Sequence, residues 1–195
     1  MRSLCVFCGS ARGHSIEYAQ AARAFGAALA ENGIELVWGG GHVGLMGELA
    51  DAVLDAGGRA HGVIPSFMVE RELAHPRASE LYVVESMHAR KAKMAELAAG
   101  FAVLPGGFGS LEEFFEVLTW AQLHLQQKPI GLLNVAGFFE PLLALLRHLV
   151  DEGFVAAPNL SLIEVESEPL ALLERLRAYR APRGDWLSKV QLDRT

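Results

Sequence analysis

Two cysteines among 195 residues leave too few thiols for a disulfide framework or a four-thiolate zinc site. Both lie in the Leu4 to Gly9 run, which reads as a strand, and an offset of three sends Cys5 and Cys8 to opposite faces. The seven histidines show no HExxH or comparable spacing, so no metal is expected. Positive charge is scarce as well: 17 Lys and Arg against 23 Asp and Glu give a net charge of -6. Such a chain has no general field for a polyanion, which argues against nucleic acid as a partner. No apolar run approaches the ~18 residues of a membrane span, and residues 1–20 lack the basic start and apolar core of a signal peptide. No membrane partner is expected, and the cytoplasm is the expected compartment.

What is present is a regular alternation. Short apolar runs at 3–8, 34–38, 59–64, 81–85, 101–104, 130–133 and 161–165 read as strands. Between and after them, 15–31, 44–56, 86–99, 110–126, 138–152 and 169–179 read as helices, while 65–78 is a proline-bounded connection. Continuous apolar strands separated by helices imply a parallel sheet covered on both faces. The expected fold is α/β: a Rossmann-like three-layer α/β/α sandwich with a mostly parallel sheet. One domain over 1–180 and a C-terminal tail over 181–195 are expected, because no linker or internal repeat interrupts the pattern.

In open parallel sheets ligands bind beyond the carboxyl ends of the strands, so the turns that leave the strands carry the functional signal. Three are rich in glycine: Gly9-Ser10, then Gly39-Gly40-Gly41 running on to Gly44-Leu45-Met46-Gly47, and Pro105-Gly106-Gly107-Phe108-Gly109-Ser110-Leu111-Glu112-Glu113. Glycines let backbone amides approach a phosphate, and a helix start favours negative charge. A tight turn needs glycine whatever its function, so one such turn is weak evidence, and three on one edge are stronger. None is a Walker motif or a full GxGxxG, which ranks ATP hydrolysis and NAD chemistry low.

Ser110 followed by Glu113 has the spacing of a capping box. Along the same helix Leu111, Phe114, Phe115, Leu118, Ala121 and Leu125 form an apolar stripe, and the face around Phe114 and Phe115 is a candidate for pairing two subunits. Glu112, Glu116 and Thr119 fall on a neighbouring polar face, where like charges at i, i+4 are more easily tolerated beside cations or ligand hydroxyls. In the helix 86–99, Met87, Met94 and Ala98 form a stripe flanked by Arg90 and Lys91, whereas Lys93 and Glu96 point to solvent. The two cations either snorkel past the methionines or meet an anion at the sheet edge.

The Gly39–Gly47 turn, Met87-His88-Ala89-Arg90-Lys91, the Pro105–Glu113 motif and Thr119-Trp120-Ala121-Gln122 together resemble the LONELY GUY (LOG) family, in order from about Val6 to Leu172. The resemblance implies a Rossmann-like phosphoribohydrolase that releases a free cytokinin base and ribose 5-phosphate from a riboside 5′-monophosphate. It implies no metal or redox cofactor, and a homodimer or larger assembly. By position, Arg90 and Glu113 become the catalytic pair. Glu72, Lys91, Gly107, Phe108, Gly109, Ser110 and Thr119 become substrate contacts, joined by Met87, Gly106, Leu111, Glu112 and the turn residues Gly9, Ser10, Gly40 and Gly41. Ser110 stands where the family usually has threonine. Glu113 is expected to bind the ribose hydroxyls and help orient or deprotonate water, with Arg90 fixing the substrate and keeping the carboxylate ionised. Rival readings are a non-catalytic nucleotide carrier or sensor, and a lysine decarboxylase, although no lysine is singled out for a pyridoxal phosphate Schiff base.

Overall fold

The structure is a computed structural model that describes residues 1–71 and 73–182. Its strands are β1 (Ser3–Phe7), β2 (Glu35–Trp38), β3 (Ala60–Pro65), β4 (Glu80–Val84), β5 (Phe101–Val103), β6 (Ile130–Leu133) and β7 (Ile163–Glu166). Its helices are α1 (Ile16–Glu31), α2 (Gly44–Asp55), α3 (Ser66–Val69), α4 (Met87–Leu97), α5 (Phe108–Gln122), α6 (Glu140–Asp151) and α7 (Pro169–Ala178). The strands form one sheet in the order β4-β3-β2-β1-β5-β6-β7, and every pairing is parallel. The chain builds outward from β1 to β4, then returns through α4 to lay β5 on the other side of β1. That reversal opens a crevice between β1 and β5 at their carboxyl ends.

The central strands have no solvent side, which is why they read as unbroken apolar runs. On one face Leu4, Val6 and Cys8 pack with residues of α1, α2 and α7; on the other Cys5, Phe7 and Val103 pack with residues of α4, α5 and α6. The two cysteines therefore point opposite ways, both buried and unbridged. Trp38, Phe25, Phe101, Phe114 and Phe139 are fully buried, each contributing roughly 1.5–3 kcal/mol by removal from water. Helix ends follow local chemistry: Ser15 Oγ accepts the Glu17 amide at the start of α1, which stops at Asn32 before Gly33 at φ +64°. Ser86 caps α4 by accepting the Ala89 amide at 3.1 Å.

Element ends shift by a few residues at several places, and three differences from the sequence pattern stand out. The connection after β3 contains the short helix α3, and 3-10 turns over Val135–Gly137 and Ala157–Leu162 take residues expected in neighbouring elements or loops. The third difference bears on function: α5 starts at Phe108, with Gly107 in the capping position, rather than at Ser110. Of the expected tail, residues 183–195 lie outside the described residues, as does Glu72.

Candidate active site

The three glycine turns leave adjacent strands β2, β1 and β5, and they pack on one another. The Gly9 amide donates to the Pro105 carbonyl at 3.0 Å, and the Leu45 amide donates to the Gly9 carbonyl at 2.9 Å. Gly44, at φ +60°, lies against the Ser10 backbone so closely that a methyl there would collide with its carbonyl. Gly9 is buried and its amide is already used, while Ser10 is exposed at the edge.

The β2 turn turns inward. Gly40, at φ +72°, packs on Ile64, and its carbonyl accepts the His75 amide at 2.8 Å; Gly41 pairs with Ala74, and its carbonyl accepts Trp38 Nε1 at 3.1 Å. Both are buried, and their carbonyls are engaged within the protein. Their backbone holds the chain around Leu73–His75. Gly39 has a different constraint, because a side chain on it would occupy the space of the Arg90 guanidinium.

The β5 turn is the open one. A methyl on Gly107 or Gly109 would meet nothing within 4 Å, so packing does not demand glycine at either place. Both are exposed, as is Phe108 at 93%, and no side chain caps the first turn of α5. Its leading amides therefore face open space with the helix dipole behind them, an arrangement suited to a phosphate. Gly106 is half-buried against Gly9 and the Ser110 side chain, and Ser110 is buried. Because α5 begins at Phe108, Ser110 is the third helical residue and cannot be the cap, so the capping-box expectation fails.

Beneath this opening α4 and α5 bring the two ionic residues together. Arg90 Nη1 stands 3.5 Å from Glu113 Oε1, and Arg90 Nε donates to the Val63 carbonyl at 3.1 Å. Arg90 is 7% exposed and Glu113 is 8% exposed. Burial pushes the Glu113 carboxyl up from 4.5 to about 7; Arg90 and Lys91 pull it back, and Glu112 and Glu116 push it further. Desolvation outweighs the opposing pull of Arg90, so the carboxyl stays raised although the arginine favours its ionised form. The Cys5 and Cys8 thiols of β1 are raised by burial and then by the Glu113 charge, so they are inert neighbours.

Lys91, 8% exposed, sends Nζ to Glu112 Oε1 at 2.5 Å and to Glu116 Oε1 at 3.0 Å. Arg90 and Lys91 are both paired with carboxylates, which excludes the snorkelling alternative, whereas Lys93 and Glu96 pair at the surface as expected. Met87 is 40% exposed at the start of α4 and does not continue the buried stripe of Met94 and Ala98. On α5 the buried positions are Ser110, Glu113, Phe114, Val117 and Ala121, with Leu111 and Phe115 half-buried. Phe114 is wholly inside, so it cannot pair subunits, and Leu125 lies beyond the helix and is exposed. Thr119 is exposed and donates Oγ1–H to the Phe115 carbonyl at 2.6 Å, about 13 Å along the helix from Ser110. Sequence reasoning missed two parts of the site. Gly39 beneath Arg90 was legible only as the first of three glycines, and the Val63 carbonyl carries no sequence signal.

The chain has relatives among known proteins. Residues 46–176 match the family described as possible lysine decarboxylase. A probable cytokinin riboside 5′-monophosphate phosphoribohydrolase of Oryza sativa subsp. japonica is 47% identical over 184 residues, covering 94% of this chain and 75% of the relative. A cytokinin riboside 5′-monophosphate phosphoribohydrolase of Arabidopsis thaliana is 43% identical over 194 residues, covering 100% of this chain and 91% of the relative. Among solved structures, the molybdenum cofactor binding protein of Rippkaea orientalis has a TM-score of 0.70 at 20% identity, covering 91% of this chain and 97% of that one. The molybdenum cofactor carrier protein of Chlamydomonas reinhardtii has a TM-score of 0.66 at 20% identity, covering 91% and 98%. At that identity the solved structures share the fold alone, whereas the sequence relatives match along nearly the whole chain. The chain therefore belongs to the LONELY GUY (LOG) family, which also goes under the description possible lysine decarboxylase.

Proposed function

We propose that this chain hydrolyses the N-glycosidic bond of cytokinin riboside 5′-monophosphates, and of AMP to a degree still to be measured, giving the free base and ribose 5-phosphate. The observation that carries this reading is the buried Arg90–Glu113 pair lying beneath uncapped helix amides. The relatives named phosphoribohydrolases support it from sequence. The 5′-phosphate binds at the start of α5, against Gly107, Phe108, Gly109 and the Ser110 amide. Breaking the bond builds positive charge on the ribose ring, and an ionised Glu113 stabilises it while orienting the attacking water. Arg90 fixes the substrate and opposes the burial that would otherwise keep Glu113 protonated. Glu72 and Thr119 are assigned as substrate contacts through the resemblance.

A carrier of the same fold would bind nucleotide without turnover, and fold alone does not separate the two. Incubation with isopentenyladenosine monophosphate and with AMP does. Free base and ribose 5-phosphate are expected; tight binding of unchanged nucleotide would favour the carrier. For lysine decarboxylation the lysine at this site is unsuited to form a Schiff base, because two carboxylates keep Lys91 protonated. Cadaverine formed from lysine would revive that reading. We also assign a homodimer, checked by light scattering, and the cytoplasm, checked by fractionation; among the described residues no helix is long and apolar enough to cross a membrane.

A further inference from the structure

The resemblance makes Lys91 a substrate contact, yet its ammonium is already engaged, between two carboxylates of α5. We infer that Lys91 is a positioning residue acting on Glu113 through the Glu112–Glu116 pair, whose charge it partly offsets so that Glu113 ionises more readily. This deepens the hydrolase reading and rests on it for its catalytic meaning.

The placement has a cost that calls for a reason. A lysine only 8% exposed loses hydration, and burial alone would lower its proton affinity; the hydrogen bonds it donates to Glu112 and Glu116 reverse that and hold it charged. Glu112 precedes Glu113, and Glu116 follows it by three residues, a neighbouring position on the helix surface. Without Lys91, Glu113 would share one turn of α5 with two uncompensated carboxylates. Among the described residues the charges facing Glu113 are Arg90 and Lys91 from α4, and Glu112 and Glu116 from its own helix, while Cys5 on β1 and Cys8 just beyond it are neutral thiols. Arg90 is the direct partner at 3.5 Å. Lys91 sets the background against which that one cation works.

The test titrates Glu113 itself. Protein labelled with carboxyl-13C glutamate is followed by NMR without ligand, Glu113 being assigned by its disappearance in Glu113→Gln, alongside kcat/KM against pH for isopentenyladenosine monophosphate. In Lys91→Gln the Glu113 midpoint should rise by about one pH unit. The acid limb of kcat/KM should move with it, so that the loss of activity grows as pH falls. Lys91→Arg should keep the wild-type midpoint. The triple variant Lys91→Gln, Glu112→Gln, Glu116→Gln should bring it back down, to the wild-type value or below it. An unmoved midpoint in Lys91→Gln, or a KM raised equally at every pH with an unmoved limb, overturns the inference. Should Lys91→Gln fail to fold, the double variant Glu112→Gln, Glu116→Gln keeps the lysine and should lower the midpoint, and no movement there overturns it equally. A wild-type protein that hydrolyses no nucleotide would end the hydrolase reading alone, since the NMR titration needs no turnover.

Discussion

The turn after β2 and the turn after β5 look alike as sequence, each with glycines clustered at a strand end, yet the structure uses them in opposite ways. After β2, methyl groups at Gly39, Gly44 and Gly47 would run into the Arg90 guanidinium, the Ser10 backbone and the His42 carbonyl. After β5, Gly107 and Gly109 face empty space. Glycine in the first turn is demanded by the protein's own atoms. In the second no neighbour demands it, and that is what marks the open face for a ligand.

Substitutions can break that contrast or sharpen it. The largest effect is expected at Gly44→Ala and Gly47→Ala, where the obstacle is backbone and, at Gly44, φ is also positive; each should lose about 3 kcal/mol or more in urea unfolding. Stability close to wild type at either would dissolve the distinction. Glu113→Gln, which leaves both turns intact, should lower kcat about 10²-fold, roughly 2.7 kcal/mol. It should also remove a pH dependence of stability. With the carboxyl raised from 4.5 to about 7, the native state holds a proton that the unfolded chain has released, so stability falls as pH rises through that window. Thermal melts of wild type should therefore lose ground to Glu113→Gln between pH 5 and pH 8, and parallel curves would contradict a raised carboxyl. Gly39→Ala meets only the movable end of Arg90, so stability should stay within about 1 kcal/mol while kcat/KM falls about tenfold or more. The smallest effect is expected at Gly109→Ala. It should hold or gain up to about 1 kcal/mol as a helical alanine, yet raise KM several-fold if a phosphate binds there.

Much of this was legible from residue order. The parallel strands, the opposite facing of Cys5 and Cys8, and the burial of Arg90 and Lys91 beside a buried stripe follow from periodicity. The spacing of Glu112 and Glu116 called for either a cation or ligand hydroxyls nearby, and Lys91 is the cation found there. What failed were judgements that depend on contacts distant in sequence. Gly44 is constrained by Ser10, and Gly40 by Ile64, neither of them a local neighbour. Ser110 has the chemistry of a cap but is drawn inward against Gly106, and Gly107 takes the capping position. The charge of Glu113 depends on how much water it has lost, which composition and spacing do not record.

The crowding of Arg90 onto Gly39 makes position 39 a report on position 90. A homologous chain that keeps the arginine in this pose has to leave residue 39 bare, whereas a chain that has given up the arginine is released from that requirement. Two letters fifty-one apart then serve as a screen for degenerate copies. A bulky residue at 39 flags a chain that has kept the sheet and its glycine turns but lost its ionic pair, before any assay is run.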